Sequence, residues 1–162
     1  MFKIKLSILL LTSIFFYSCT NTQIHSSDQK YSLEYIGGGY DGLLLKNYLL
    51  SNLKNLDIYD PNSNYKIKAN ISHTSNIYIT NIDNTSDRER IITKLFFQVI
   101  DAVSQCQILN EQIEVSQFYI YASSDKFLSN QTALRKIKKN NTESSASRLI
   151  NKLRIIGNKC DE

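Results

Sequence analysis

Between Asn62 and Ile156 the chain contains no proline and no glycine, and within that span residues 65–79 follow an alternating pattern. Tyr65, Ile67, Ala69, Ile71, Ile77 and Ile79 fall on one parity. Lys66, Lys68, Asn70, Ser72, Thr74 and Asn76 fall on the other. Successive side chains of a strand point to opposite faces, so this is a long strand with one buried and one wet face. Proline removes a ladder donor and confines a strand to an edge, so its absence lets the strands of this region be central ones.

Two further β segments follow. Asn81–Asp87 is polar and reads as a hairpin loop, and Arg88–Val103 is rich in Ile, Leu, Phe and Val. Ser104-Gln105 marks a reversal, and Cys106–Tyr121 is the third long segment. Short turns between consecutive strands predict an antiparallel meander. Upstream, Tyr31–Ile36 is a short strand broken by Gly37-Gly38-Gly39. Asp41 is placed to cap the helix expected over 42–56, where Leu45, Tyr48, Leu49, Asn52, Leu53 and Leu56 recur at helical spacing. Asp60-Pro61-Asn62-Ser63-Asn64 is the strongest turn signal. A long helix is expected over 128–155, on a face traced by Leu134, Ile137, Ala146, Leu149, Leu153 and Ile156. Asn140-Asn141-Thr142 is the place where it would kink or split, and Gly157 is its stop. The order β-α-β-β-β-α predicts an α+β two-layer sandwich, two helices on one face of a four-stranded mixed or antiparallel sheet.

Length bounds the organisation. A chain of 162 residues, 42% of them apolar, holds one ordinary domain with a real core. Its first residues, MFKIKLSILLLTSIFFYSC, are a processing signal. Lys3 and Lys5 precede an apolar run from Leu6 to Tyr17. Twelve helical residues reach only about 18 Å, short of a hydrocarbon core of about 30 Å. Ser18-Cys19 at the end of the run resembles a bacterial lipobox. Phe16 stands where Leu is usual, and Tyr17 is bulkier than the usual occupant. Cys19 is then the diacylated mature N-terminus, and its acyl chains give stable membrane anchoring. The expected organisation is a lipoprotein signal peptide over 1–18, a flexible lipidated tether over 19–30, one domain over 31–157 and a tail over 158–162. Thr20, rather than Asp, after the Cys favours the outer membrane over the inner one.

Catalytic motifs are scarce. Gly37-Gly38-Gly39 lacks the spacing and the Lys-Ser/Thr tail of a phosphate loop. There is no C-x-x-C and no H-E-x-x-H, and His25 and His73 have no shared position, so no metal site and no enzyme activity is expected. Cys106 has no positional histidine to activate it. Cys106 and Cys160 are the pair left to form a disulfide in an oxidising compartment, and geometry decides whether they do. No cofactor is expected beyond the lipid on Cys19.

Charge is more informative. The formal net charge is +4, below that of a dedicated nucleic-acid binder, and export also argues against nucleic acid. Between Lys126 and Lys159 only Glu143 opposes Lys126, Arg135, Lys136, Lys138, Lys139, Arg148, Lys152, Arg154 and Lys159. Such a face is either simply solvated or a contact for anionic groups, a glycolipid phosphate or a partner's acidic surface. Arg88 and Arg90, at the mouth of a long strand, form a smaller basic spot with the same two readings.

These segments resemble the LptE family, the lipoproteins of lipopolysaccharide assembly. Asn84–Asp101 is similar to the family's loop and middle strand, Cys106–Tyr119 to its last strand, and Leu43–Leu53 to its first helix. Ala146, Leu149 and Leu153 match the small-and-large apolar pattern of its C-terminal helix. Val-Ser-Gln-Cys at 103–106 stands where many members have a glycine-containing turn. The resemblance implies a non-catalytic protein on the periplasmic face of the outer membrane. It implies insertion into the LptD β-barrel translocon, support of that barrel's assembly, and contact with lipopolysaccharide. The other reading is a periplasmic outer-membrane lipoprotein acting as a structural or inhibitor-like, cystatin-like binding module.

Overall fold

The computed structural model describes residues 29–79, 87–120 and 127–156. Six elements follow in order: β1 (Ser32–Gly37), α1 (Gly39–Asn55), β2 (Tyr65–Ile79), β3 (Asp87–Asp101), β4 (Gln107–Ile120) and α2 (Phe127–Ile155). The sheet order is β1-β2-β3-β4. β1 runs parallel to β2, and β2-β3-β4 is an antiparallel meander. The β-α-β-β-β-α order and the α+β two-layer fold are those expected from the sequence.

The unbroken span determines the shape of the sheet. β2 and β3 pair from Tyr65↔Asp101 to Ile79↔Asp87 with no register shift. Fifteen residues at about 3.3 Å each make strands roughly 50 Å long. At the near end the chain reverses through residues 102–106. The Asp101 carboxylate there accepts hydrogen bonds from the Val103 N–H at 3.0 Å and the Ser104 hydroxyl at 2.9 Å. Gln105 takes a left-handed φ of 56°, a conformation unfavourable for most side chains. The local Asx-type bonds hold the turn that a glycine would otherwise make.

Both helices cover one face of the sheet. Ile67, Ala69 and Ile71 from β2, Leu95, Phe97 and Val99 from β3, and Ile113 and Val115 from β4 are buried. Leu45, Leu49 and Leu53 of α1 and Ala146, Leu149, Ile150 and Leu153 of α2 close on them. Full burial of each Leu or Ile side chain contributes about 1.5–3 kcal/mol. The face traced for α1 is narrower than expected: Asn52 and Leu56 are exposed.

The start of α1 differs from the expectation. Its N-cap is Gly38, with φ 116° and no side-chain cap, and the helix begins at Gly39. Asp41 therefore lies within the first turn, where its charge complements the helix dipole. Glycine sets this start. Gly38 and Gly39 both take positive φ, and a Cβ on Gly42 would stand 2.5 Å from the Gly37 carbonyl oxygen. The backbones of α1 and β1 approach more closely than any other residue permits.

The expected break at 140–142 does not occur, because α2 is one continuous helix of 29 residues. Asn141, Thr142 and Ser145 are fully buried in its middle. Within the expected break, Asn141 reaches across to the sheet. The Asn141 amide donates to Thr93 Oγ1 at 3.0 Å and to the Ile91 carbonyl at 3.5 Å. Thr142 Oγ1 donates back to the Lys138 carbonyl at 2.9 Å. The expected stop, Gly157, lies outside the described residues. No helix among the described residues is long and apolar enough to cross a membrane.

Candidate functional site: a basic and apolar end of the sheet

Alternation along β3 decides which way its arginines face. Ile91, Thr93, Leu95, Phe97 and Val99 are buried under the helices, so Arg88 and Arg90 lie on the opposite, helix-free face. Arg90 pairs across the strand with Phe118, and Arg88 with Ile120. Nε and Nη2 of Arg90 donate to Ser116 Oγ at 3.1 and 2.9 Å. Its guanidinium lies 5.6 Å from the Phe118 ring centroid, within cation–π range. These contacts fix Arg90 against the sheet, whereas Arg88 is exposed.

Arg88, Phe118, Tyr119 and Ile120 line a depression of about 280 Å³. Phe118 is 60% and Ile120 68% exposed. α2 starts at this same end with Phe127 and Leu128, both exposed as well. Exposed apolar side chains grouped beside a guanidinium are unusual on a water-soluble surface and mark an interaction site. The combination suits an amphiphile with an anionic head: phosphate or carboxylate for Arg88, apolar chain for Phe118 and Ile120. A second, shallower depression of about 310 Å³ lies on the same face between Tyr35, Lys68, Phe96, Gln98 and Asn110.

The basic residues expected on the C-terminal helix are not one patch. Arg135, Lys136 and Lys139 are exposed on the side of α2 away from the sheet. They lie in the helical layer, and Arg88 and Arg90 on the far face of the sheet. Lys138 is half-buried and its charge acts on His73. Arg148 and Lys152 are engaged structurally: Arg148 donates to the Glu114 carbonyl at 3.2 Å, and Lys152 pairs with Glu111. Cys106 is disulfide-bonded. Cys160 and the lipidation candidate Cys19 lie outside the described residues, so the Cys106–Cys160 pairing remains an expectation. Among the described residues no three His, Cys, Asp or Glu side chains gather as metal ligands.

One constellation was not foreseen. His73 belongs to the buried parity of β2, and its side chain is only 4% exposed. Nδ1 lies 2.7 Å from Thr93 Oγ1, and Nε2 lies 3.4 Å from Asp41 Oδ2. Burial lowers its pKa; Asp41 raises it and Lys138 lowers it further. The signal was the parity of residue 73, which already placed an imidazole beneath the helices.

The fold defines a class: a two-layer α+β domain in which a parallel first strand precedes a long antiparallel meander. Solved bacterial lipoproteins share it. Rare lipoprotein B from Shewanella oneidensis superposes with a TM-score of 0.62 at 13% identity, over 77% of this chain and 93% of that one. A minor lipoprotein from Acinetobacter baumannii gives 0.58 at 16% identity, over 78% and 90%. Lipoprotein B from Nitrosomonas europaea gives 0.60 at 8% identity, over 78% and 82%. At these identities the fold is what is shared. No family model matches the sequence, and no curated protein matches it.

Proposed function

We propose that this chain is a non-catalytic, lipid-anchored lipoprotein of the outer membrane that serves lipopolysaccharide assembly in the manner of the LptE family. In this reading Cys19 carries the lipid and the domain sits in an LptD-type β-barrel on the periplasmic side. The observation that carries it is the end of β3 and β4, where exposed Arg88 stands beside exposed Phe118 and Ile120 over a depression of about 280 Å³. An anionic glycolipid offers phosphate and acyl chains together, and this end offers a partner for each. Similarity in fold to proteins named as lipoproteins, rare lipoprotein B among them, supports the same reading.

The test has two arms. Tagged full-length protein extracted in detergent should bring down a large outer-membrane β-barrel, and capture of none would sink the assembly role. Purified protein should bind lipopolysaccharide, with Arg88→Ala weakening binding about tenfold, the loss of one charge-assisted contact. Undiminished binding by that variant would remove the end of the sheet from the account. Cys19→Ser should leave the protein unprocessed or soluble rather than with the outer membrane.

A further inference from the structure

The buried histidine supplies an inference independent of the proposed function. His73 lies where three layers of contact meet: β2 carries it, Thr93 reaches it from β3, and Asp41 and Lys138 are the charged groups that act on it from α1 and α2. Asn141 of α2 joins through Thr93, donating to Oγ1 at 3.0 Å. The neighbours select one arrangement for the neutral ring. A proton on Nε2 faces the Asp41 carboxylate, whereas a bare Nε2 would set two lone-pair centres 3.4 Å apart. Nδ1 is then the acceptor, and the Thr93 hydroxyl donates to it while accepting from Asn141. Hydrogen bonds thus run in one direction, from the helix α2 amide through Thr93 to the ring.

Protonation of Nδ1 reverses that direction. Thr93 can no longer donate to the ring, and its hydrogen needs another acceptor. Asn141 Oδ1, buried and without a hydrogen-bond partner among the described residues, is the acceptor within one amide flip. The cationic ring attracts Asp41, which is at ion-pair distance but outside hydrogen-bond geometry, and repels Lys138.

We propose that His73, Thr93 and Asn141, flanked by Asp41 and Lys138, form a proton-responsive joint between the sheet and the two helices. With His73 neutral, the joint holds α2 to the sheet. With His73 charged, the Asn141–Thr93 bond persists in its reversed sense, the ring draws Asp41 at the start of α1, and the half of α2 that precedes Asn141 loosens through the charge on Lys138. That half begins with exposed Phe127 and Leu128, so protonation of His73 changes the presentation of the apolar end of the domain.

The joint is tested in the full mature chain in detergent micelles. Imidazole nitrogen–proton correlation spectra should show the Nε2–H tautomer at about pH 7.5. Asp41→Asn should move the His73 titration midpoint to lower pH, and Lys138→Met should move it higher. Hydrogen exchange in residues 127–140, corrected for the intrinsic effect of pH and taken relative to residues 143–155, should be at least about threefold faster below the measured His73 midpoint than above it. His73→Gln should abolish that difference. A purely structural histidine leaves the exchange of residues 127–140 in step with that of residues 143–155 at every pH, and that result overturns the proposal. So does an Nδ1–H tautomer, or a midpoint that moves the same way in both charge variants. The two charge substitutions, at half-buried positions, keep the test decisive if His73→Gln fails to fold.

Discussion

Tyr31 and Leu153, 122 residues apart, are joined by a hydrogen bond of 3.0 Å from the phenol to the main-chain carbonyl. Tyr31 is fully buried just before β1, and Leu153 lies in the last turn of α2, where carbonyls have no intrahelical partner. The phenol thus closes the end of one helix from the opposite end of the sequence. Tyr31→Phe keeps the ring and removes the donor. It should lower unfolding stability by about 1–3 kcal/mol, the cost of a buried carbonyl left without its partner. A urea titration with an unchanged slope and a lower midpoint is the expected result.

Asn141 makes the same argument from the middle of α2. Asn141→Ala removes the bonds to Thr93 and Ile91 and opens space beneath the helix. A loss of about 1–3 kcal/mol is expected, with helical circular dichroism nearly unchanged below the transition. A large drop in helicity would mean that this residue holds the helix together, rather than holding it to the sheet.

That residue also shows where sequence reading reaches and where it stops. The alternation at 65–79 and the missing proline and glycine specified β2 and its neighbours nearly to the residue, because strand period depends on local pattern. Asn140-Asn141-Thr142 was misread for the complementary reason. Asn in a helix interior has low intrinsic propensity, but tertiary contact overrides it when Thr93 waits opposite. Arg88 and Arg90 have the same sequence parity and share the helix-free face of the sheet. Their separation from Arg135, Lys136 and Lys139 depends on which layer each element joins, and charge order along the chain does not carry that. The role of His73 was half legible: its parity was visible, but Asp41, Thr93 and Asn141 come together only through pairing and packing.

Gly42 gives a prediction whose sign opposes helix propensity. In a free helix Gly→Ala is favourable by about 1 kcal/mol. Here the added Cβ would meet the Gly37 carbonyl oxygen at 2.5 Å and its carbon at 2.7 Å, both main-chain atoms with no freedom to swing away. Gly42→Ala should therefore destabilise the domain, by about 1–3 kcal/mol as β1 and α1 are pushed apart. Gly39→Ala meets no atom within 4 Å and is the milder of the two, limited to the strain of its positive φ. Thermal denaturation of both variants against the parent separates close approach from backbone strain.

Acid sensitivity should arise in two separate windows. His73 has its pKa lowered, first by burial, so the folded state resists a proton that the unfolded chain accepts below the ordinary imidazole value of 6.5. Stability should be full above that value and fall as pH drops from it towards the folded-state value. Asp101 is the opposite case. Hydrogen bonds from the Val103 N–H and the Ser104 hydroxyl lower its pKa from 3.8, so its contribution is present above that value and lost as pH falls through the lower folded-state one. The carboxylate lies at a turn on the surface of the domain, and its effect is small and screened by salt. Denaturant midpoints measured across the acid range should show both limbs in the parent protein. His73→Gln should flatten the upper limb alone, and Asp101→Asn the lower one alone. A single limb removed by either substitution would mean that the two groups titrate together.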